Sequence, residues 1–214
     1  MTDLHCHILP NIDDGAKDVS ISLRLLEKEY ADGVRNIAFT SHFNSEWTTP
    51  DAFLQKRAAA YETLTAALPT GPEAMQFRFK LGCEVYFSPK LCELDAKALC
   101  IGDTSYMLVE FPTTHKPHFI RQTFALLQEQ GVLPLIAHIE RYPYVLEDPT
   151  LLYNWNCQGK SMTFHKNQHR KEAQLDRGLT GLSHPEIQEL FGPVGSENIQ
   201  LLIVEKCVAV LQKL

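Results

Sequence analysis

Several absences narrow the class of this chain before any motif is considered. No apolar run in its 214 residues approaches the ~18 that a membrane-spanning helix needs. Asp3 and His5 stand where a secretory leader would carry positive charge and then an apolar stretch. The expectation is a cytoplasmic protein that does not insert into a membrane. Basic charge is not in excess either. Lys and Arg number 20 against 26 Asp and Glu, a net charge of −6 that excludes a general nucleic-acid face. Six cysteines (Cys6, Cys83, Cys92, Cys100, Cys157 and Cys207) form no C-x-x-C pair. Scattered in this way, they are expected to be reduced packing residues and not disulfides.

What is present fits one α/β domain. A 44% hydrophobic composition supplies a sizeable core, and the domain is taken as residues 1–214. Thr2–His7 alternates like a short strand, and Phe77–Val85 alternates Phe77, Phe79, Leu81 and Cys83. Asn36–His42 is an apolar run that ends in polar residues; Tyr106–Phe111 and Val132–His138 are nearly continuous apolar runs, as in strands of a parallel sheet covered on both faces. Helical patterns separate most of them. The first covers about Val19–Ala31, with Leu23, Leu26 and Tyr30 on one face and Gly33 as its stop. The second opens with Thr49 as cap and Pro50 in the first turn, and its face is Leu54, Ala58, Tyr61 and Leu68. The third starts near Pro117, carries Phe119, Ile120, Phe124 and Leu127, and ends at Gly131. Strands alternating with helices predict βαβ units.

The candidate ligands fall in series at the strand ends. His5 and His7 end the first strand, His42 the second, and His138 the fifth; Glu84 and Glu110 lie near the ends of the third and fourth. In β/α barrels the active site gathers at these C-terminal ends. A single histidine there reads as an ordinary core or surface residue, but five successive strand ends each carrying His or Glu do not. His5 and His7 are two apart, so on a strand they share a face and Cys6 points away. Asp13 and Asp14 follow in a loop closed by Gly15, where one carboxylate can fold back over the site. Mixed imidazole and carboxylate donors suit zinc, manganese or iron better than calcium. Several carboxylates able to bridge point to a multinuclear site of the kind used in phosphoryl chemistry.

The stretches "DLHCHILPNIDDG", "TSH", "GCEVYF", "LVEF" and "IAHIERY" resemble the PHP (polymerase and histidinol phosphatase) superfamily. The closest resemblance is to the metal-dependent protein-tyrosine phosphatases of bacterial capsule and exopolysaccharide synthesis, in order from about Met1 to Tyr144. The resemblance implies a distorted (β/α) TIM-like barrel, incomplete in its C-terminal third, holding two or up to three divalent ions. Manganese is the expected metal, with zinc or iron as alternatives. His5 and His7 would ligate the first ion, Glu84 would bridge to the second, Glu110 and His138 would complete the second, and Asp14 and His42 would belong to the third. Arg141 matches the arginine that binds substrate phosphate, a task for which the guanidinium fork is suited. The implied reaction is hydrolysis of phosphotyrosine on a bacterial tyrosine kinase that regulates polysaccharide export. Cysteine-based phosphatases instead need Arg six positions after the nucleophile, and none of the cysteines here has one.

The resemblance also implies a late Asp-x-His, completing the first and third metal sites, and none occurs after His138. Residues from about Asn154 to Ser183 are polar and show no convincing strand, as if a strand had been deleted or scrambled; "GLSHPEIQELFG" and "NIQLLIVEKCVAVLQKL" read as helices. His165 and His169, an i, i+4 pair on a helix face, and His184 are the candidate substitutes, against a plain reading as a solvated basic loop. Three functions stay open: an active tyrosine phosphatase, a degenerate relative with weak or no activity, and a phosphoesterase for small phosphate esters. A lost strand would leave an exposed sheet edge, which favours self-association.

Overall fold

The computed structural model describes residues 1–71, 74–148 and 151, and the backbone of 163–165, 178–179 and 203–204. Its first sheet has the order β1 (Thr2–Cys6), β2 (Asn36–Phe39), β4 (Arg78–Leu81). Its second has the order β3 (His42–Phe43), β5 (Glu84–Tyr86), β6 (Tyr106–Glu110), β7 (Leu133–Ala137), β8 (Thr163–His165). Every neighbouring pair in both is parallel. The helices are α1 (Val19–Ala31), α2 (Pro50–Ala66), α3 (Ile120–Glu129) and the short α4 (Pro143–Glu147). The protein is thus a mixed α/β structure built on parallel sheets. Among the described residues β1 and β8 do not pair, so no closed barrel is formed.

Two runs that read as single strands are each broken, and the breaks aim the site. The run from Asn36 divides into β2 and β3 at Thr40 and Ser41, where Cys6 N–H donates to the Thr40 hydroxyl at 3.0 Å instead of to a ladder carbonyl. The run from Phe77 divides into β4 and β5 at Gly82 and Cys83. Here Arg57 of α2 donates to the Gly82 carbonyl at 2.8 Å and draws it out of the ladder. A Cβ on Gly82 would meet Ile101 Cγ1 at 3.0 Å, so only glycine fits the break easily. Backbone bonds from Gly82 N–H to Phe39 O and from Glu84 N–H to Ser41 O carry the pairing across both breaks.

Helix limits follow their caps. Asp18 accepts from Ile21 N–H to start α1, and Thr49 accepts from Ala52 N–H with Pro50 in the first turn of α2. Gly33 (φ 85°) follows α1, and Gly131 (φ 77°) follows α3, each in the left-handed conformation that glycine adopts without penalty. α3 starts at Ile120 and not near Pro117, because Phe119 is itself left-handed (φ 62°) and points outward, 63% exposed. The buried faces keep most of the sequence reading and add to it. α1 buries Leu26 beside Ser22 and Glu29, with Leu23 and Tyr30 half-covered. α2 buries Phe53 and Leu64 beside Leu54 and Tyr61 of the expected stripe, with Leu68 just beyond its end also packed on the core, while Ala58 is exposed. The core beneath the helices holds Phe39, Phe43, Phe111, Phe124 and Leu26.

The C-terminal third departs from expectation where it is described. β8 is a short strand in the segment read as strandless, paired with β7 at Leu135↔Thr163 and Ala137↔His165. The backbone of His165 is therefore extended and not on a helix face. Ile203–Val204 (β10), inside the segment read as a last helix, pairs antiparallel with Gly178–Leu179 (β9), as suits two adjacent β-branched residues. His169, His184 and the helix read at residues 181–192 lie outside the described residues.

Leu64→Ala is expected to cost about 2–5 kcal/mol of unfolding free energy, and Ala58→Ser less than about 0.5 kcal/mol, in urea denaturation. Equal effects would contradict the burial of Leu64 and the exposure of Ala58.

Candidate metal centre

The site is assembled from strand ends around one carboxylate. Glu84 opens β5 just after the Gly82 break and is almost fully buried. Its Oε2 lies 2.9 Å from His5 Nε2, 3.1 Å from His7 Nε2 and 3.2 Å from His42 Nδ1. Its Oε1 lies 2.8 Å from His138 Nε2. Glu110, at the end of β6, closes the far side, with Oε1 3.3 Å from His138 Nε2 and Oε2 3.4 Å from His42 Nδ1. Asp14, largely exposed, meets His42 Nε2 at 3.5 Å. Cys6 points away and donates to Ala38 O.

Among the described residues three groups have ligand atoms within 4.8 Å of one another: His5, His7 and Glu84; His42, Glu84 and Glu110; and His7, Asp14 and His42. His42 thus belongs to two of them, reaching Glu84 and Glu110 as well as Asp14. The donors fit a cation. Glu84 Oε2 is buried with three imidazole nitrogens within 3.2 Å, yet it is aligned for no hydrogen bond. His5 Nε2 and His7 Nε2 are themselves only 3.2 Å apart. Two donors each ~2.1 Å from a shared ion lie about 3 Å from one another, which is this spacing.

Electrostatics follow from the crowding. Burial alone would raise the Glu84 carboxyl, but His138, His5 and His7 outweigh it and hold the group far below the carboxylate range. Burial opposes protonation of His7, but Asp13 and Glu84 overcome it and raise its pKa to about 10. His138, also opposed by burial, is raised to about 9 by Glu110 and Glu84. Burial and the carboxylates of Glu110 and Glu46 push the Tyr86 hydroxyl up.

Asp13 has a role that sequence reasoning did not assign to it. Its Oδ2 lies 2.8 Å from His7 Nδ1 and accepts from His42 N–H at 3.0 Å; its Oδ1 accepts from Gly15 N–H at 3.0 Å. The carboxylate therefore fixes the ring of His7 and turns Nε2 toward Glu84. Burial works against its charge, but His7 and these N–H groups hold its pKa at about 2. Gly15 makes this fold-back feasible: a Cβ there would stand 2.1 Å from His7 O and 2.4 Å from His7 Cβ. The Asp-Asp-Gly sequence was the available signal, without indicating which carboxylate would turn inward.

At the end of β7, His138 adopts a left-handed backbone (φ 29°), an uncommon state for a non-glycine residue, and its carbonyl accepts from Arg141 N–H at 2.9 Å. The turn Ile139–Arg141 carries Arg141 directly beyond His138, half-buried and, among the described residues, in no ion pair. Tyr142 is also absent from the sequence-based site. It is fully buried, its ring is 5.6 Å from that of His138, and its hydroxyl accepts from Phe111 N–H at 2.9 Å, tying the segment after His138 to the residue after Glu110. His115 and His118 lie exposed on the segment after β6.

A strand-end cluster of imidazoles and carboxylates on a parallel α/β scaffold defines a candidate divalent-metal protein. The description of the family, capsular polysaccharide synthesis, CpsB/CapC, matches residues 1–167, and this chain belongs to that family. It is 35% identical over 156 residues to the tyrosine-protein phosphatase YwqE of Bacillus subtilis, a match covering 72% of this chain and 60% of that protein. It is 33% identical over 150 residues to the tyrosine-protein phosphatase CpsB of Streptococcus pneumoniae, covering 66% and 58% respectively. A solved structure from work on those two proteins, described as unique metal-dependent tyrosine phosphatases, superposes with a TM-score of 0.61 at 33% identity, covering 72% of this chain and 62% of that one. The matched part of this chain thus spans about 60% of the length of these curated relatives.

Gly15→Ala is expected to push His7 off Asp13 and weaken metal affinity about 10- to 100-fold in a metal titration, the range for losing an outer partner of a ligand. Unchanged affinity would remove Gly15 from the site. A second outcome concerns pH. At pH 7 the metal-free His7 and His138 both keep a proton, since their pKa values of about 10 and about 9 lie above it. A cation must displace those protons, so binding is expected to strengthen as pH rises from about 6 to about 9. Calorimetry in buffers of different ionisation heat should show proton release, and a pH-independent affinity would contradict this.

Proposed function

We propose that this chain is a metal-dependent protein-tyrosine phosphatase acting on a phosphotyrosine-bearing bacterial kinase in capsule or exopolysaccharide synthesis, in the cytoplasm. The observation that carries the reading is the buried Glu84 carboxylate, ringed at 2.8–3.2 Å by four imidazoles and flanked by Glu110. The kinship with YwqE and CpsB supports it, and so does the sequential parallel strand order, which suits part of a distorted (β/α) barrel.

In this reading His5, His7 and Glu84 would hold one ion, and Glu84, Glu110 and His138 would hold a second, with His42 and Asp14 alongside. Manganese is the proposed metal. When bound, such ions supply Lewis-acid activation of water and neutralise phosphoryl charge. Glu84, shared between the two donor groups, would be available to both ions, and Asp13 keeps His7 oriented. Arg141 receives the phosphate oxygens through its planar fork and stabilises their charge as the ester bond breaks. The departing phenolate, with an ordinary pKa near ~10, is a good leaving group and needs little help from an acid. The lack of a late Asp-x-His favours a second element in the reading: two tightly held ions and slow turnover.

The test combines elemental analysis with a phosphotyrosine-peptide assay. At most two tight ions, activity abolished by chelator, and indifference to thiol alkylation are expected. Arg141→Ala should lower kcat/KM by the equivalent of about 2–4 kcal/mol, the scale for one preorganised charge-stabilising donor. Activity that survives chelation and is lost on alkylation would reject the mechanism. Three tight ions with fast turnover would reject the two-ion reading.

A further inference from the structure

The runs through β5 and β6 are two-faced where they reach the site. Val85 and Phe87 of the one, and Val109 and Phe111 of the other, belong to the main hydrophobic core. Successive side chains on a strand alternate, so Glu84 and Tyr86, with Leu108 and Glu110, face the other way. That second face carries the metal centre. Its floor is a separate buried cluster of Leu108, Leu135 and Ala137. The strand register sets the layers above the floor. Glu84 is level with Leu108 and Tyr86 with Glu110, and Phe87 N–H donates to Glu110 O at 2.8 Å. Tyr86 therefore stands one layer of side chains beyond Glu84, toward the C-terminal strand ends.

A contact across β5 fixes what lies beside it. β3 and β6 flank β5 on its two sides. His42 of β3 is the register partner of Glu84, and its Nδ1 reaches Glu110 Oε2 at 3.4 Å. These two donors meet over β5, in the interval between Glu84 and Tyr86. Tyr86 is the next residue of that face, half-buried, and it borders the donors on their outer side. An ester whose phosphoryl group is held by these donors must project its organic group outward, because Leu108, Leu135 and Ala137 close the floor. On the β5 side the first residue beyond the donors is Tyr86.

We propose that Tyr86 is a specificity-determining residue whose ring packs against the aryl group of a phosphate ester held at the metal centre. The inference rests on the phosphatase reading above and deepens it, assigning the choice of aryl over alkyl esters to one side chain. Two rings gain from an offset or edge-to-face contact that a short alkyl stem cannot make. The contact needs the ring of Tyr86 and not its hydroxyl, and it acts in binding, before any bond breaks.

The test uses the manganese-loaded full chain, with phenylphosphonate and methylphosphonate as unreactive inhibitors of phenyl phosphate turnover. Both carry the same phosphoryl head, so the ratio of their inhibition constants isolates the ring. Wild type is expected to favour phenylphosphonate by roughly three- to tenfold, the size of one aromatic contact. Tyr86→Leu, which keeps bulk without a ring, and Tyr86→Ala should each lose most of that preference, and Tyr86→Phe should keep it. Elemental analysis allows the variants to be compared at equal metal content. A disturbed Glu84 would weaken both inhibitors alike and leave the ratio intact. A ratio that survives in Tyr86→Leu and Tyr86→Ala, or no preference in wild type, overturns the ring contact, and the phosphatase reading stands if phenyl phosphate is turned over. A preference lost as fully in Tyr86→Phe also overturns it, in favour of the hydroxyl. If wild type neither binds nor turns over phenyl phosphate, the phosphatase reading falls and the ring contact falls with it.

Discussion

The structure is organised around the burial of one negative charge. Glu84 sits at 1% exposure in the interior, where an isolated carboxylate would be costly by several kcal/mol. It is tolerated because four imidazoles from three other segments, His5 and His7, His42, and His138, converge on its two oxygens. Each segment end is constrained by that meeting. β1 must bring His5, and His7 just beyond it, to one face, β3 must begin at His42, and β7 must be followed by a residue whose backbone is left-handed.

The surrounding packing supplies the positions that the charges require. The breaks in the long strands bring Glu84 and His42 to the site out of strict ladder register, with Thr40 and Arg57 taking over the backbone partners. The Asp13 loop folds back because Gly15 has no Cβ, and its carboxylate then serves three groups at once. Tyr142 binds the segments after β6 and β7 together from below. These contacts hold the donors before any ligand arrives, so little ordering remains to be done on binding, the condition for a preorganised site.

The match over residues 1–167 places the chain in the CpsB/CapC family. The paired strands β1 to β7 and every residue of the Glu84 cluster fall inside that span. The short β9–β10 pair falls beyond it, built from a sequence whose apolar residues had suggested a helix. Adjacent Ile203 and Val204 fit either pattern, and only a partner strand decides between them.

The sequence by itself determined where the donors enter. A period of two in "DLHCH" puts His5 and His7 on one face, and apolar runs ending in His or Glu put the others at strand ends. The starts of α1 and α2 were legible too, because Asp18 and Thr49 act through neighbours three residues away, whereas that of α3, which has no such cap, was not. Tertiary structure alone decided the rest. It settled which of Asp13 and Asp14 turns inward, that His42 stands between two donor groups, that Leu64 and not Ala58 packs α2, and that Tyr142 braces the site. Those choices depend on contacts between residues some 30 to 50 positions apart, such as His42 with Asp13 and His138 with Glu84, and such distances carry no periodic signal. Local chemistry fixes what a segment can be; the packing of segments against one another fixes which of its side chains meet.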